Sequence, residues 1–288
     1  MGMQALKRVA AIHDLSGFGK CSLTVALPIL SAMGVEVCAL PTAILSSHTG
    51  DLKGYTYRDL TEDLPGIANH WSALGLRFDA IYTGFVGSQT QLTFLSEIVE
   101  QLRGEDSLVL VDPVMGDHGV LYRTYTSPMV EGMRALCGRA QVITPNLTEA
   151  SFLLGKAYDP TMIDPVAVRE QCHALTALGP KRVVLTGVSL PGDRLGAAAY
   201  DAAEDVFVIH AMPRAPGIWY GTGDIFSSVL LGALLGGRSL DASTQLAVRF
   251  TQGCIMRTWA RGTDPRYGVD FEHELPWLIR EAEPSFKS

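Results

Sequence analysis

Short apolar runs alternate with longer amphipathic runs along the 288 residues. "VAAIH" (Val9 to His13) reads as a buried strand, and "SLTVALPILSAMG" as a helix ending at Gly34 with a kink at Pro28. "VEVCALP" is a second strand. The polar, Gly/Ser/Thr-rich "TAILSSHTGDLKGYTYRDL" is irregular, and is expected to leave the core as an excursion over about residues 42–60. "LTEDLPGIANHWSALG" returns to helix, and "FDAIYTGFVG" is a strand running into a glycine turn. "SQTQLTFLSEIVEQLR" is an amphipathic helix with Leu92, Leu95, Ile98, Val99 and Leu102 on one face.

The alternation then repeats. "SLVLVDPVMGD" is a strand and turn. "SPMVEGMRALCG" is a helix with Ser127 as N-cap and Pro128 at its first position. "AQVITPN" is a strand, "LTEASFLLG" a helix, "DPVAVREQCHALTALG" a helix capped by Asp164, and "RVVLTGV" a strand. "RLGAAAYDAAEDVFVIHA" reads as a hairpin. Two helices follow, "GTGDIFSSVLLGALLGG" and "LDASTQLAVRFTQGCIMRTWARG", and then a short charged tail. Near-continuous apolar strands alternating with helices predict an α/β fold with a mostly parallel sheet covered on both faces. With neither a long linker nor an internal repeat in view, one domain over residues 1–288 is expected.

Composition narrows the function classes. With 47% hydrophobic and 18% charged residues, the chain can bury a substantial core. A net charge of −7 without a basic cluster argues against a nucleic-acid surface. The cysteines (Cys21, Cys38, Cys137, Cys172, Cys254) form no C-x-x-C pair, so free thiols in a reduced compartment are expected. The first residues carry neither a secretory nor a myristoylation pattern, and "SSVLLGALLGG" is too short to span a bilayer. A soluble, cytoplasmic protein with no membrane partner is the expectation.

"HDLSGFGKCSLT" (His13 to Thr24) imitates a phosphate-binding P-loop but departs from it twice. Asp14 stands where the first glycine belongs, and Cys21 where a hydroxyl would reach Mg²⁺. A carboxylate repels phosphate, and a thiol is a poor ligand for a hard cation. Phosphate is therefore expected elsewhere, at the carboxyl ends of the strands. "GTGD" (Gly221 to Asp224) fits that place. Its glycines leave backbone N–H groups uncrowded before an apolar helix, whose amino terminus attracts anions. Asp224 reads either as a base that takes a proton from an attacking hydroxyl or as a simple helix cap. "DPVMGD" and "TPNLTEA" bring Asp112, Asp117, Asn146 and Glu149 to neighbouring strand ends. Carboxylates facing an anionic ligand call for a cation such as Mg²⁺ between them. Taken singly, Asp112 also fits a strand-end turn, and Glu149 an exposed first-turn acid.

These segments, in this order over nearly the whole chain, resemble the pyridoxal (vitamin B6) kinases of the ribokinase-like superfamily. "SSHTG", "TGFVGS", "DPVMGD", "TPNLTEA" and "GTGDIFSS" carry the resemblance, the last three being specific as a set. It implies a ribokinase-like α/β/α sandwich and ATP-dependent phosphorylation of the 5′-hydroxymethyl group of a B6 vitamer. By the same carry-over Asp224 is the catalytic base, and Gly221, Thr222 and Gly223 hold the transferring phosphoryl group. Asp112 and Asp117 lie near the ATP phosphates and metal, and Glu149 acts through Mg²⁺. Thr144, Asn146 and Thr186 contact phosphate or nucleotide. His48, Thr49 and Phe85 approach the pyridine ring, and Tyr122 belongs to a loop closing over the site. A monovalent cation such as K⁺ and a homodimer are also implied.

Asp14 departs from the family, standing where a ring-binding Ser is usual. A carboxylate there can accept a charge-assisted hydrogen bond from a protonated ring nitrogen or an amine, shifting preference toward pyridoxamine. Alternatively it points into its own turn and binds backbone amides. Lys20 carries no assignment, and Tyr220 is placed loosely near the ligands. Hydroxymethylpyrimidine kinase is the nearest competitor, but it usually has Cys in place of Asp224. A sugar kinase would carry a larger lid. A non-catalytic B6 or nucleotide sensor would not need the retained acids. A dinucleotide oxidoreductase lacks its G-x-G-x-x-G after the first strand.

Overall fold

The strand–helix alternation closes into one nine-stranded sheet in the computed structural model, whose described residues are 6–160 and 164–282. In chain order the elements begin β1 (Lys7–Ser16), α1 (Leu23–Ala32), β2 (Val35–Leu45), β3 (Tyr57–Asp59), α2 (Leu64–Ala73), β4 (Phe78–Thr83), α3 (Gln89–Leu102) and β5 (Arg103–Val111). The middle holds β6 (Gly116–Asp117), β7 (Val120–Leu121), α4 (Ser127–Cys137), β8 (Val142–Ile143), α5 (Leu147–Leu154) and α6 (Pro165–Thr176). The last third holds β9 (Arg182–Leu190), β10 (Arg194–Asp201), β11 (Val206–Pro213), α7 (Thr222–Leu235), α8 (Leu240–Arg261) and α9 (Leu275–Ala282).

The sheet order is β11-β10-β9-β8-β5-β4-β1-β2-β3, parallel from β9 through β2 and antiparallel at both edges. β1 shows why the strands are apolar on both sides. Ala10 and Ile12 face one core with α2–α6, while Val9 and Ala11 face the other with α1, α7, α8 and α9. This is the expected α/β/α sandwich. Its parallel strands all release their carboxyl ends along one edge of the sheet.

Two local expectations are corrected. The supposed excursion begins later: β2 continues through Leu45 and pairs antiparallel with β3, so the segment extends the sheet. α4 starts at Ser127 with Thr126 as its N-cap, one residue earlier than expected, and Pro128 still falls in its first turn. Residues 263–282 of the charged tail pack onto the fold. Val269, Phe271 and Leu278 are buried against the α7/α8 core, and α9 closes that face. Asp164 caps α6 as expected, its carboxylate accepting from Val166 N–H at 3.0 Å. The amino-terminal reading, which rested largely on residues 1–5, lies mostly outside the described residues. No helix among the described residues is long and apolar enough to cross a membrane.

Ile12 is fully buried in β1, an interior strand, whereas Ile279 is exposed. Ile12→Ala is expected to destabilise by about 2–5 kcal/mol in urea unfolding, and Ile279→Ala by less than about 0.5 kcal/mol.

Candidate active site

β1 carries two polar residues into the strand-end edge. The His13 ring is fully buried and lies edge-on to Tyr82, with ring centroids 4.2 Å apart. It rests on Gly84, where a Cβ would come within 2.2 Å of Nδ1, so only glycine fits there. Burial drives the His13 pKa down to about 3, so the imidazole is neutral. The Asp14 carboxylate accepts from Ser22 Oγ at 2.5 Å and from Ser16 Oγ at 2.7 Å. Its pKa is raised by burial, with the two hydroxyls opposing the rise. Asp14 therefore sits in the strand, held by hydroxyls, and does not cap a turn.

α7 begins at this same edge. Its N-cap is Gly221, left-handed at φ 76°, with no side-chain cap. Asp224 thus does not cap its own helix, which removes the plain structural reading of that residue. The first-turn amides of α7 are left open to an anion. The Asp224 side chain is 14% exposed, and its Oδ1 lies 4.0 Å from His13 Nδ1. Burial raises its pKa to about 7, the Asp14 charge adds to the rise, and the backbone amide of Ser22 opposes it. A carboxylate poised near neutrality suits a general base.

The other acids form the opposite wall. Asp112 follows β5 and is nearly buried. Ser227, one turn beyond Asp224, places its Oγ 3.2 Å from Asp112 Oδ2 and 2.9 Å from Thr144 Oγ1. Gly223 is open on this side, a Cβ there lying 3.9 Å from Asp112 Oδ2. Glu149 is buried, in contrast to the exposed first-turn acid that its position also suggested. It forms a capping box with Asn146: Glu149 Oε2 accepts from Asn146 N–H at 2.8 Å, and Asn146 Oδ1 from Glu149 N–H at 2.9 Å. Glu149 Oε1 accepts from Met115 N–H at 3.1 Å. Burial, and then the Asp112 charge, pushes the Glu149 pKa well up; burial and the Asp224 charge raise that of Asp112.

Buried acids that repel one another fit a hard cation between them. No group of three or more His, Cys, Asp or Glu converges as a ready ligand set among the described residues. This donor set suits Mg²⁺, which usually takes one or two carboxylates and completes its shell with water and phosphate. Asp117 stands apart on the β6–β7 hairpin, half exposed, with Oδ1 accepting from His118 N–H at 2.8 Å. Tyr122 follows that hairpin and is 42% exposed. Desolvation raises its pKa, and the charges of Glu149, Asp117, Asp112 and Asp224 add to the rise. Thr186, expected at a strand end, lies in the middle of β9, which runs on to Leu190, and its N–H donates to Pro145 O at 2.8 Å.

The remaining predicted contacts lie near β2. Gly50 N–H donates to His48 Nδ1 at 3.0 Å, so Nε2 carries the proton and donates to Arg266 O at 2.6 Å. With both nitrogens occupied, His48 offers only ring surface, and Tyr220 stacks on it at 5.3 Å. The Tyr220 hydroxyl donates to Asp51. Thr49 is exposed and Phe85 half-buried. The sequence reading passed over His13 as a functional neighbour, and also Ser22, Ser227 and the segment 264–272. Ser227 had a signal, since it lies one helical turn beyond Asp224. Segment 264–272 is joined to the site only by folding.

A family model described as phosphomethylpyrimidine kinase matches residues 27–267. The chain belongs to that family. Within it, the pyridoxal kinases read from the motifs are close relatives. A pyridoxal kinase of Arabidopsis thaliana is 30% identical over 246 residues, which make up 80% of this chain and 75% of that protein. The solved pyridoxal kinase of Lactobacillus plantarum is 34% identical, covers 97% of this chain and 99% of its own, and superposes with a TM-score of 0.88. A Bacteroides thetaiotaomicron protein, provisionally named a phosphomethylpyrimidine kinase and solved in a form with pyridoxal, is 38% identical with a TM-score of 0.90. It covers 99% of this chain and 98% of its own.

The open amino terminus of α7 depends on Gly221. A Cβ there would lie 2.0 Å from Lys20 O, on a backbone already left-handed. Gly221→Ala is expected to destabilise by about 2 kcal/mol or more in urea unfolding. Gly66→Ala, in α2 with open space around it, should instead stabilise by roughly 0.5–1 kcal/mol.

Proposed function

We propose that this protein transfers the γ-phosphoryl group of ATP to the 5′-hydroxymethyl group of a vitamin B6 vitamer. The observation that carries the reading is the uncapped α7 terminus with Asp224 poised beside it, in a chain whose relatives are pyridoxal kinases. The vitamer hydroxyl gives its proton to the Asp224 carboxylate while its oxygen bonds to the γ-phosphorus. The bond from that phosphorus to the bridging oxygen breaks, and ADP leaves with the electron pair. The open amides of Gly221, Thr222 and Gly223 and the helix dipole stabilise the equatorial oxygens.

Asp112 and Glu149, with Asp117 on the neighbouring hairpin, are the residues that would hold Mg²⁺ together with the ATP phosphates. The ion would supply charge neutralisation there. Thr144, Asn146 and Thr186 line the nucleotide side; the Thr144 hydroxyl is already bonded to Ser227, and Asn146 Nδ2 to Gly116 O at 2.9 Å. His48, Thr49, Phe85 and Tyr122 bound the ring side. A monovalent cation such as K⁺, a homodimer and a cytoplasmic location belong to the same reading. So does one kinase domain, supported by a single sheet running from Lys7 to Pro213 and by helices continuing to Ala282. The family-model description favours hydroxymethylpyrimidine kinase as the second reading, against which Asp224 counts.

Turnover of pyridoxal, pyridoxamine, pyridoxine and hydroxymethylpyrimidine with MgATP tests the reading. A B6 vitamer should be phosphorylated, and Asp224→Asn should lower kcat by about 10²–10⁴-fold. Turnover of hydroxymethylpyrimidine alone would favour the second reading. A base is inactive when protonated, so wild-type kcat should fall as the pH drops below about 7, the value to which burial raises Asp224.

Asp14 sets a further expectation. Its buried carboxylate follows His13, whose Nδ1 lies 4.0 Å from Asp224 Oδ1, and there it can accept from a cationic vitamer. Asp14→Ser should lower kcat/KM for pyridoxamine relative to pyridoxal by about tenfold, the value of one charge-assisted hydrogen bond. An unchanged ratio would remove Asp14 from substrate choice.

A further inference from the structure

Lys20 belongs to the loop that imitates a P-loop, yet its ammonium points away from the anion hole. Its Nζ lies 2.9 Å from Asp270 Oδ1 and 2.9 Å from Glu272 Oε2, both in the segment leading to α9. Its side chain is 29% exposed and that of Asp270 12%, so the Asp270 pair is partly shielded from water. The backbone around it is unusual. Gly19, Lys20 and Ser22 have φ of 105°, 53° and 55°. A left-handed backbone is disfavoured for residues with a Cβ, and persists where surrounding contacts over-determine it.

Those contacts come from both sides. A Cβ on Gly268 would lie 2.3 Å from Gly19 O and 2.7 Å from Lys20 Cβ, so segment 264–272 presses directly on the loop. Phe18 packs edge-on to Tyr267, with centroids 5.1 Å apart. On the far side, the Lys20 carbonyl abuts Gly221, the N-cap of α7. Ser22 bonds Asp14 through its hydroxyl, and its backbone amide faces Asp224. The loop is therefore clamped between the carboxyl-terminal segment and the helix end that carries the chemistry.

We propose that Lys20 is a positioning residue, whose ion pairs with Asp270 and Glu272 hold the Gly17–Ser22 loop against the amino terminus of α7 and so align Asp224 for phosphoryl transfer. Lys20 touches neither ATP nor the vitamer in this arrangement, and it acts through Ser22 and Gly221. The proposal rests on the reading of Asp224 as the base.

The test measures kcat and KM for pyridoxal and MgATP in the full chain. The variants are Lys20→Met, Lys20→Arg, Glu272→Gln, Asp224→Asn, and Lys20→Met combined with Asp224→Asn. Lys20→Met should lower kcat by about tenfold with both KM values within about twofold, since a misplaced reacting group lowers rate more than binding. Lys20→Arg should restore most of that loss. In the Asp224→Asn background, Lys20→Met should cost less than about twofold, because two residues acting as one unit are non-additive. A Lys20→Met kcat within about twofold of wild type overturns the proposal, and so does an equal loss in both backgrounds or a loss confined to KM. If Lys20→Met does not fold, Glu272→Gln decides: it removes one exposed partner and should lower kcat about two- to threefold, and an unchanged kcat overturns the proposal. An Asp224→Asn protein as active as wild type overturns the base itself, and Lys20's role with it. A loss in Asp224→Asn without one in Lys20→Met removes only the role of Lys20.

Discussion

Asp14, Asp112, Glu149 and Asp224 bring four carboxylates to one edge of the sheet, where water is largely excluded. Desolvation and mutual repulsion disfavour their ionised forms. The surrounding structure answers with donors placed residue by residue. Ser16 and Ser22 serve Asp14, and Ser227 lies beside Asp112. The backbone amides of Asn146 and Met115 serve Glu149. These donors offset the repulsion only in part, so Asp224 remains poised near neutrality. A bound cation and the polyphosphate it accompanies would complete the compensation.

Glycine has a related role on the opposite side of the site. Gly221, Gly268 and Gly84 each sit where a Cβ would collide with a carbonyl, a backbone or an imidazole. Close approach of main chain to main chain lets a loop without P-loop chemistry brace a helix that has open amides. "SGFGKCS" thus packs against the amino terminus of α7 without forming a P-loop. Asp14 and Cys21, which exclude a P-loop, are compatible with that supporting place.

Segment 264–272 shows how a region of charged composition takes part in a buried site. Asp270 and Glu272 pair with Lys20, Arg266 offers its carbonyl to His48, and Tyr267 packs on Phe18. His48 then gives its remaining ring surface to Tyr220. This cluster is accordingly assembled from four distant stretches of chain, around residues 18, 48, 220 and 267.

Local sequence determined much of this protein. Apolar strands alternating with amphipathic helices specify a parallel sheet with two helical layers, because each strand must bury both faces. The glycines of GTGD, the acids of DPVMGD and the polar residues of TPNLTEA were legible because short-range geometry dictates those residue types at strand ends and helix starts. Tertiary structure decided the rest. That Asp224 does not cap α7, that Glu149 is buried, and that Lys20 clamps to Asp270 and Glu272 all depend on contacts between segments far apart in the chain. Periodicity and propensity are properties of neighbours along the chain, whereas the electrostatics of this site arise from elements that become neighbours only when the sheet closes.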